Sequence, residues 1–166
     1  MIGGKTGVKI IKKLKILWLC QYPINVLPDK IIKINEKKHI HPASWILNLS
    51  NELSKRSDIE LHLLTESKAV FKSCNFKYNN IHFYILKNRY LIPIINKSFP
   101  SFFPVHLMTN YWLSKKRILK YVKEIKPDII HSHGTEAQYS MTALESNYPT
   151  IISIHGLMKL YNDYLK

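Results

Sequence analysis

The stretch from Pro127 to Gly156 constrains the fold more than any other part of the 166-residue chain. Two short apolar runs each end in a His-Gly pair, at His133 and at His155, with a helix-sized segment between them. This pattern predicts two parallel strands joined by a right-handed crossover helix. Ligands of parallel α/β sheets bind beyond the carboxyl ends of the strands. We therefore expect His133 and His155 to lie close together at that edge of the sheet, here called the carboxyl edge.

Length and composition predict one globular domain. A chain of 166 residues with 46% hydrophobic residues can build its own core and is not typical of a disordered protein. Cys20 and Cys74 have neither metal-binding nor disulfide spacing, which suits a reducing compartment. The apolar run at residues 16–20 is too short for a signal peptide or a transmembrane helix. We expect a cytoplasmic protein, with attachment to a membrane surface as an alternative.

The formal net charge of +14 favours anionic partners. Nucleic acid, anionic membranes and phosphorylated substrates all fit such a charge, although solvated surface lysines explain most of it. The chain has no identifiable nucleic-acid recognition element, and its aromatic residues do not alternate with basic ones as in a stacking platform. A specific nucleic-acid partner is therefore not expected.

Strand and helix patterns alternate along the chain. Residues 1–14 form a basic N-terminal extension, and residues 15–166 form the domain. Residues 71–80 are an irregular connection or a short hairpin. Continuous apolar runs predict strands at Lys15–Cys20, Ile59–Thr65 and Ile81–Leu86. Helical periodicity predicts a helix that begins at Pro42 and another at Thr109–Lys126. The buried stripe of the first helix is expected to consist of Trp45, Ile46, Leu49 and Leu53.

Two long loops and a helix start supply candidate binding residues. Tyr22 lies in the loop at residues 21–41, and loops of this length are usually functional or mobile. His41 and Ser44 flank the start of the first helix, where the helix N-terminus can receive an anion; simple capping is an equal alternative for His41. Arg89 lies in the aromatic loop at residues 88–106, which either meets a sugar or lipid-linked acceptor or packs locally, the second being slightly favoured.

Lysines at positions 116, 120 and 123 share one face of the helix at Thr109–Lys126. The opposite face carries the apolar stripe of that helix. A lysine face of this kind is usually only solvated. Contact with a membrane surface is the secondary interpretation.

Alternation places His131 and His133 on the same side of the predicted strand that Asp128 opens. A metal site at this pair is not favoured, because no third ligand stands at a recognisable spacing. His131 lies deeper and is expected to be a hydrogen-bonded core histidine. His133 ends the strand next to Gly134, where the chain must turn.

The helix after Gly134 begins with a capping pattern. Thr135 and Gln138 form a T-x-x-Q capping box, and Glu136 falls in the first turn, where the helix dipole favours a carboxylate. Capping explains Glu136 only in part, so it remains a candidate for binding. The predicted packed face of this helix consists of Ala137, Ser140, Met141 and Leu144.

Residues 128–136 read Asp-Ile-Ile-His-Ser-His-Gly-Thr-Glu, a helix follows, and residues 149–156 read Pro-Thr-Ile-Ile-Ser-Ile-His-Gly. Together these three segments resemble the N-terminal half of family 4 glycosyltransferases. Residues 15–19 and 42–65 fit the first strand, first helix and second strand of the same family. The resemblance implies an α/β fold: a Rossmann-like parallel sheet flanked by helices, one half of the two-domain GT-B architecture. It covers most of the chain from Lys15 to Gly156.

The resemblance implies transfer of a sugar, with retention, from a nucleotide-sugar donor to a glycan, lipid-linked or small acceptor. His133 matches the family histidine that contacts the donor sugar, and it would orient and stabilise an oxocarbenium-like state. Gly134, Thr135 and the pair His155-Gly156 would lie beside it. No metal and no cofactor is expected, because helix dipoles and basic side chains stabilise the leaving diphosphate.

The sequence departs from the family pattern in two places. The loop before the first helix reads His41-Pro42-Ala43-Ser44 where the family often has Gly-Gly, which puts a phosphate contact there in doubt. The chain ends at Lys166, so the nucleotide-sugar domain with its Glu-x7-Glu signature is absent from it. We expect an acceptor-side half that is inactive by itself. The alternative is an orphan or truncated half-domain that binds a sugar or a partner chain without catalysis.

Overall fold

The computed structural model describes residues 12–34, 44–88, 111–135 and 138–154. Within these ranges the helices are α1 (Ser44–Ser54), α2 (Trp112–Ile125) and α3 (Gln138–Glu145), with a 3₁₀ turn at Ile24–Val26. The strands are β1 (Leu14–Leu19), β2 (Ile59–Ser67), β3 (Cys74–Tyr78), β4 (Ile81–Lys87), β5 (Ile129–His133) and β6 (Thr150–Ser153). In these parts of the chain, no helix is both long enough and apolar enough to cross a membrane.

All six strands belong to one sheet in the order β3-β4-β2-β1-β5-β6. Every neighbouring pair is parallel except β3 and β4. This confirms the predicted α/β fold with a Rossmann-like parallel sheet, including the β5-α3-β6 unit. Strands β2, β4 and β3 lie on one side of β1, and the later strands β5 and β6 lie on its other side. The strand order therefore reverses between β1 and β5, and such a switch point is where α/β sheets bind their ligands.

The predicted hairpin interpretation of residues 71–80 is confirmed, and the irregular alternative is wrong. Strand β3 pairs antiparallel with β4, and Tyr78 stands opposite Ile81 across a turn at Asn79 and Asn80. Both asparagines have positive φ angles, 46° and 59°, as a two-residue hairpin turn of the primed type requires. Asparagine tolerates this left-handed conformation better than most residues.

The sheet separates two apolar layers. On one side, here called the α1 face, Trp18, Leu63 and Phe83 pack with Ile46 of α1. On the other side, the α2–α3 face, Leu19 and Leu64 pack with residues of α2 and α3. Central strands buried on both sides explain why β1 and β2 have nearly continuous apolar sequences.

Cys20, the last residue of the predicted first strand, directly follows β1 and is completely buried. Burial raises the pKa of the Cys20 thiol, which keeps it protonated and therefore a poor nucleophile at neutral pH.

The buried faces of α1 and α3 differ from the predicted ones. Leu49 was expected in the buried stripe of α1 but is 41% exposed, whereas Ile46 is 2% exposed and anchors the helix. Leu144 was expected to pack but is 67% exposed. Ser140 is buried as predicted, and it shares the buried side of α3 with Tyr139, Thr142 and Ala143. Polar residues can occupy this side because they find partners; the Thr142 hydroxyl, for example, donates to the Gln138 carbonyl at 2.6 Å.

Candidate functional site

The structure describes five of the ten residues predicted for the site. Tyr22, Ser44, His133, Gly134 and Thr135 are placed, whereas His41, Arg89, Glu136, His155 and Gly156 lie outside the described residues. Pro42, Ala137 and most of the basic extension at residues 1–14 also lie outside them. Strand β1 begins at Leu14, one residue before the predicted start of the domain.

His133 ends β5 at the switch point and is 7% exposed. Its ring faces the α1 side, because His131, two residues earlier, is the register partner of Trp18 in the adjacent parallel strand. The His133 ring centroid lies 4.3 Å from that of Trp18, 5.2 Å from that of Trp45 and 3.9 Å from that of His131. An enclosure of aromatic rings thus fixes the imidazole at the carboxyl edge.

The contact between Trp45 and His133 places the start of α1 at the end of β5. Ser44, the first residue of α1, directly precedes Trp45 and is exposed. The first backbone N–H groups of a helix have no partner within the helix, and the helix dipole places partial positive charge there. The start of α1 would therefore stabilise an anionic group bound near His133.

Gly134 turns the chain immediately after His133. Its φ angle is 88°, a region that glycine enters at little cost and other residues avoid. The Gly134 N–H donates to the Ser153 carbonyl at 2.8 Å, and the Gly134 carbonyl accepts a hydrogen bond from the Ser140 hydroxyl. These bonds hold the loop between β5 and α3 against both β6 and α3. Thr135, the next residue, is exposed at the edge.

The predicted capping box of Thr135 and Gln138 stays a prediction, since residues 136 and 137 lie outside the described parts. The Gln138 side-chain amide instead contacts strand β2: it donates a hydrogen bond to the Glu66 carboxylate at 2.7 Å.

Tyr22 lies in the core on the α1 face. It is 8% exposed, and its ring makes an edge contact with Phe83 at 5.3 Å. Its backbone N–H donates to the Thr65 hydroxyl at 3.1 Å, and burial raises the pKa of its own hydroxyl. Tyr22 fixes the loop after β1 to the end of β2, and its part in substrate binding stays a prediction.

His131 is hydrogen bonded, as the sequence predicted. Its Nε2 atom lies 2.7 Å from the Ser153 hydroxyl and so connects β5 to β6. The residue is half-buried rather than part of the closed core.

Glu66 forms a buried polar network that the sequence interpretation missed. Its side chain is 3% exposed at the carboxyl end of β2 and accepts hydrogen bonds from Ser114, Arg117 at 3.3 Å and Gln138 at 2.7 Å. The Glu66 N–H donates to the Tyr139 hydroxyl at 2.8 Å. The network joins β2 to α2 and α3 behind the carboxyl edge.

A sequence signal for this network exists but is weak. Glu66 shares its side of β2 with Leu64, so alternation directs its carboxylate toward the helices. A carboxylate in such a position requires a cation or several donors. The pattern does not say which residues supply them.

The described part of the site can bind a polar ligand that carries an anionic group. An imidazole can donate or accept a hydrogen bond at a ligand hydroxyl, and the start of α1 can stabilise a phosphate. The aromatic rings around His133 keep bulk water away from one side of the imidazole, which strengthens such interactions.

A family model described as Glycosyltransferase Family 4 matches residues 43–166. The matched part runs from the residue before α1 to Lys166 and includes His133, Gly134 and Thr135. It leaves out β1 and Tyr22. No curated protein matches the chain closely enough to be named as a relative.

Proposed function

The chain belongs to Glycosyltransferase Family 4, and from this premise we propose that it is the acceptor-side domain of a retaining glycosyltransferase with the GT-B architecture. The observation that supports the proposal most directly is the position of His133, at the switch point of the sheet and beside the start of α1. The reaction moves a sugar from a nucleotide-sugar donor to a glycan, lipid-linked or small acceptor. The expected setting is polysaccharide or glycoconjugate assembly in the cytoplasm.

In this proposal a second α/β domain holds the nucleotide-sugar and faces the carboxyl edge across a cleft. His133 hydrogen bonds to the donor sugar and stabilises the oxocarbenium-like state as the bond to the diphosphate breaks. The start of α1, at Ser44, favours an anionic group with its dipole. The reaction needs no metal or other cofactor, because fixed dipoles and basic side chains carry the charge of the leaving group.

The remaining predicted residues are assigned by position in the sequence. His41 and Arg89 belong to the two long loops proposed to meet the acceptor, and Tyr22 supports the first of them. Glu136, His155 and Gly156 follow β5 and β6, whose ends lie side by side at the carboxyl edge.

Helix α2 supports a peripheral membrane contact, which would suit a lipid-linked acceptor. Lys116, Lys120 and Lys123 are all exposed, as the sequence predicted. Trp112, at the start of the helix, is 55% exposed, and the Lys116 ammonium lies 5.3 Å from its ring centroid. Tryptophan and lysine together are typical of helices that lie on anionic membranes.

The alternative is a non-catalytic half-domain that binds a sugar or a partner chain. The burial of His133 beneath Trp18 and Trp45 favours this alternative, because little of the imidazole faces solvent. Such a protein would bind its ligand at the carboxyl edge without transferring a sugar.

The test is a transfer assay on the complete gene product. Radiolabelled nucleotide-sugars are supplied one at a time with lipid and glycan extracts as acceptors. We expect His133→Ala to lower transfer by about 100-fold or more, the cost of losing one group that stabilises the transition state. Lys55→Ala, at the exposed position directly after α1, is the control and should keep normal transfer.

Three results would count against the proposal. Undiminished transfer by a folded His133→Ala variant would overturn the role of His133. A product with inverted anomeric configuration would overturn retention. Glycan binding by a wild-type protein that transfers none of the sugars would favour the non-catalytic alternative.

A further inference from the structure

Three side chains with metal-binding donor atoms meet near the amino end of β2. Glu60 and His62 are two residues apart on this strand and therefore share one side of it. His82 is the register partner of His62 on the neighbouring parallel strand β4. One donor atom from each of the three residues lies within 4.8 Å of the others. Sequence spacing did not reveal this group, because the ligands are 20 residues apart and meet only through the strand register.

The distances in this Glu60–His62–His82 cluster suit a small metal ion. Glu60 Oε1 lies 2.8 Å from His62 Nε2 and 3.9 Å from His82 Nε2. Two bonds of about 2.0–2.1 Å at a tetrahedral angle place donor atoms about 3.4 Å apart, so the observed distances lie on either side of the required one. The imidazole rings are nearly parallel, with centroids 4.6 Å apart, and present both Nε2 atoms to the same carboxylate.

The most buried ligand is already oriented by a neighbour. His62 is 5% exposed, and its Nδ1 atom lies 3.1 Å from the Tyr84 hydroxyl. With a cation on Nε2, Nδ1 carries the ring proton and donates it to Tyr84, an arrangement typical of metal-bound histidines. Tyr84 is fixed in turn against Tyr121 of α2, at a centroid distance of 5.7 Å.

The other two ligands face solvent. The side chains of Glu60 and His82 are 35% and 31% exposed, which leaves room for a water molecule as a further ligand.

Two lysines near the cluster lower its expected affinity for a cation. Lys15 of β1 stands opposite Glu60, and Lys77 of β3 stands opposite His82. Both ammonium groups oppose a bound cation, although Lys15 is turned toward the Ile125 carbonyl, 3.2 Å away. Glu124 of α2 contributes a negative charge near Tyr84. We therefore expect weaker binding than in a site built from thiolates.

We propose that Glu60, His62 and His82 form a binding site for a divalent transition-metal cation of the zinc type. Two imidazoles and one carboxylate are a donor set that suits Zn²⁺ and does not suit Mg²⁺ or Ca²⁺, which prefer oxygen ligands. The ion joins β2 to β4 on the α2–α3 face. His133 lies on the other face and at the opposite end of the strands. The metal is therefore structural, and sugar transfer does not use it.

The test is a Co²⁺ titration of the metal-free, untagged chain, followed by competition with Zn²⁺. We expect one equivalent of Co²⁺ to bind and to show the intense visible absorption of four- or five-coordinate Co²⁺. Zn²⁺ should then displace the Co²⁺ and abolish this absorption. Glu60→Gln and His82→Gln should each weaken binding by at least about tenfold. Both positions are partly exposed, so these variants should fold. Zn²⁺ should raise the Tm of the wild-type chain more than that of either variant.

His131→Gln is the matched control, because it removes an imidazole from the other histidine pair and leaves the cluster intact. Its Co²⁺ affinity should equal that of the wild-type chain. The proposal is overturned if the wild-type chain binds no stoichiometric Co²⁺, or if Glu60→Gln and His82→Gln bind as tightly as wild type. Loss of binding in His131→Gln alone would place the metal at His131 and His133 and would equally overturn it.

Discussion

The Glu66 carboxyl group is almost fully buried and has three hydrogen-bond donors around it. Burial is the largest influence on this group and raises its pKa, while Ser114, Arg117 and Gln138 lower it without fully compensating. A raised pKa means that the folded protein keeps a proton on Glu66 at pH values where the unfolded chain has lost it. The contribution of Glu66 to the free energy of unfolding therefore falls as the pH rises from about 4.5 through the folded-state pKa.

Glu66→Gln should remove this pH dependence, because the amide does not ionise. We expect the stability of the wild-type protein relative to the variant to decrease as the pH rises through that range. Urea unfolding of both proteins at a series of pH values between about 4 and 8 measures the difference. Arg117→Met is the companion variant: it removes the cation and should extend the decrease to higher pH. A stability difference between wild type and Glu66→Gln that stays constant with pH would contradict this account.

Among the helices, α1 shows how orientation against the sheet determines what each of its apolar residues contributes to the stability of the fold. Ile46 lies in the core formed with Trp18 and Leu63, whereas Leu49 points largely to solvent. The same helix also brings Trp45 to His133. The packing of Ile46 therefore fixes both the helix and one wall of the candidate site.

Replacing Ile46 with alanine should cost about 2–5 kcal/mol of unfolding free energy, since it leaves a cavity in a closed core. Leu49→Ala is the matched variant on the same helix and should cost less than about 1 kcal/mol. Chemical denaturation of the two variants measures both values. Equal losses would mean that α1 packs with a different side toward the sheet.

At the scale of the whole molecule, the net charge of +14 attracts any polyanion, so specificity must come from where the charges lie. Lys116, Lys120 and Lys123 form one exposed row beside Trp112. Other exposed lysines, such as Lys30, Lys55 and Lys72, lie on different elements. Nonspecific attraction to nucleic acid or lipid should decline steeply with added salt.

The row on α2 should carry most of the affinity for anionic membranes. Changing Lys116, Lys120 and Lys123 together to glutamine should weaken binding to vesicles of anionic phospholipid by up to about 100-fold at low salt, at about 1 kcal/mol per lysine. The control changes Lys30, Lys55 and Lys72 to glutamine and alters the net charge by the same amount. Vesicle sedimentation compares the two; equal losses would show that only total charge matters and would contradict a docking face on α2.

Most of the fold could be predicted from the sequence. Strands β1, β2 and β4 were expected within two residues of their observed ends, because strands buried on both sides require continuous apolar runs. The same pattern placed His133 and Gly134 at the end of a strand, and the residues around them carried the family resemblance. These features depend on neighbours in the sequence, which is why the sequence alone determined them.

Other features were decided only by the tertiary structure. Leu49 and Leu144 fit an apolar stripe equally well by spacing, and only the rotation of each helix against the sheet left them exposed. Arg117 reaches Glu66 across 51 residues, and His62 stacks on His82 across 20 residues through the register of β2 and β4. Such contacts join segments that are distant along the chain. No local pattern specifies them, so the buried ion pair and the proposed metal site emerge only once the sheet is assembled.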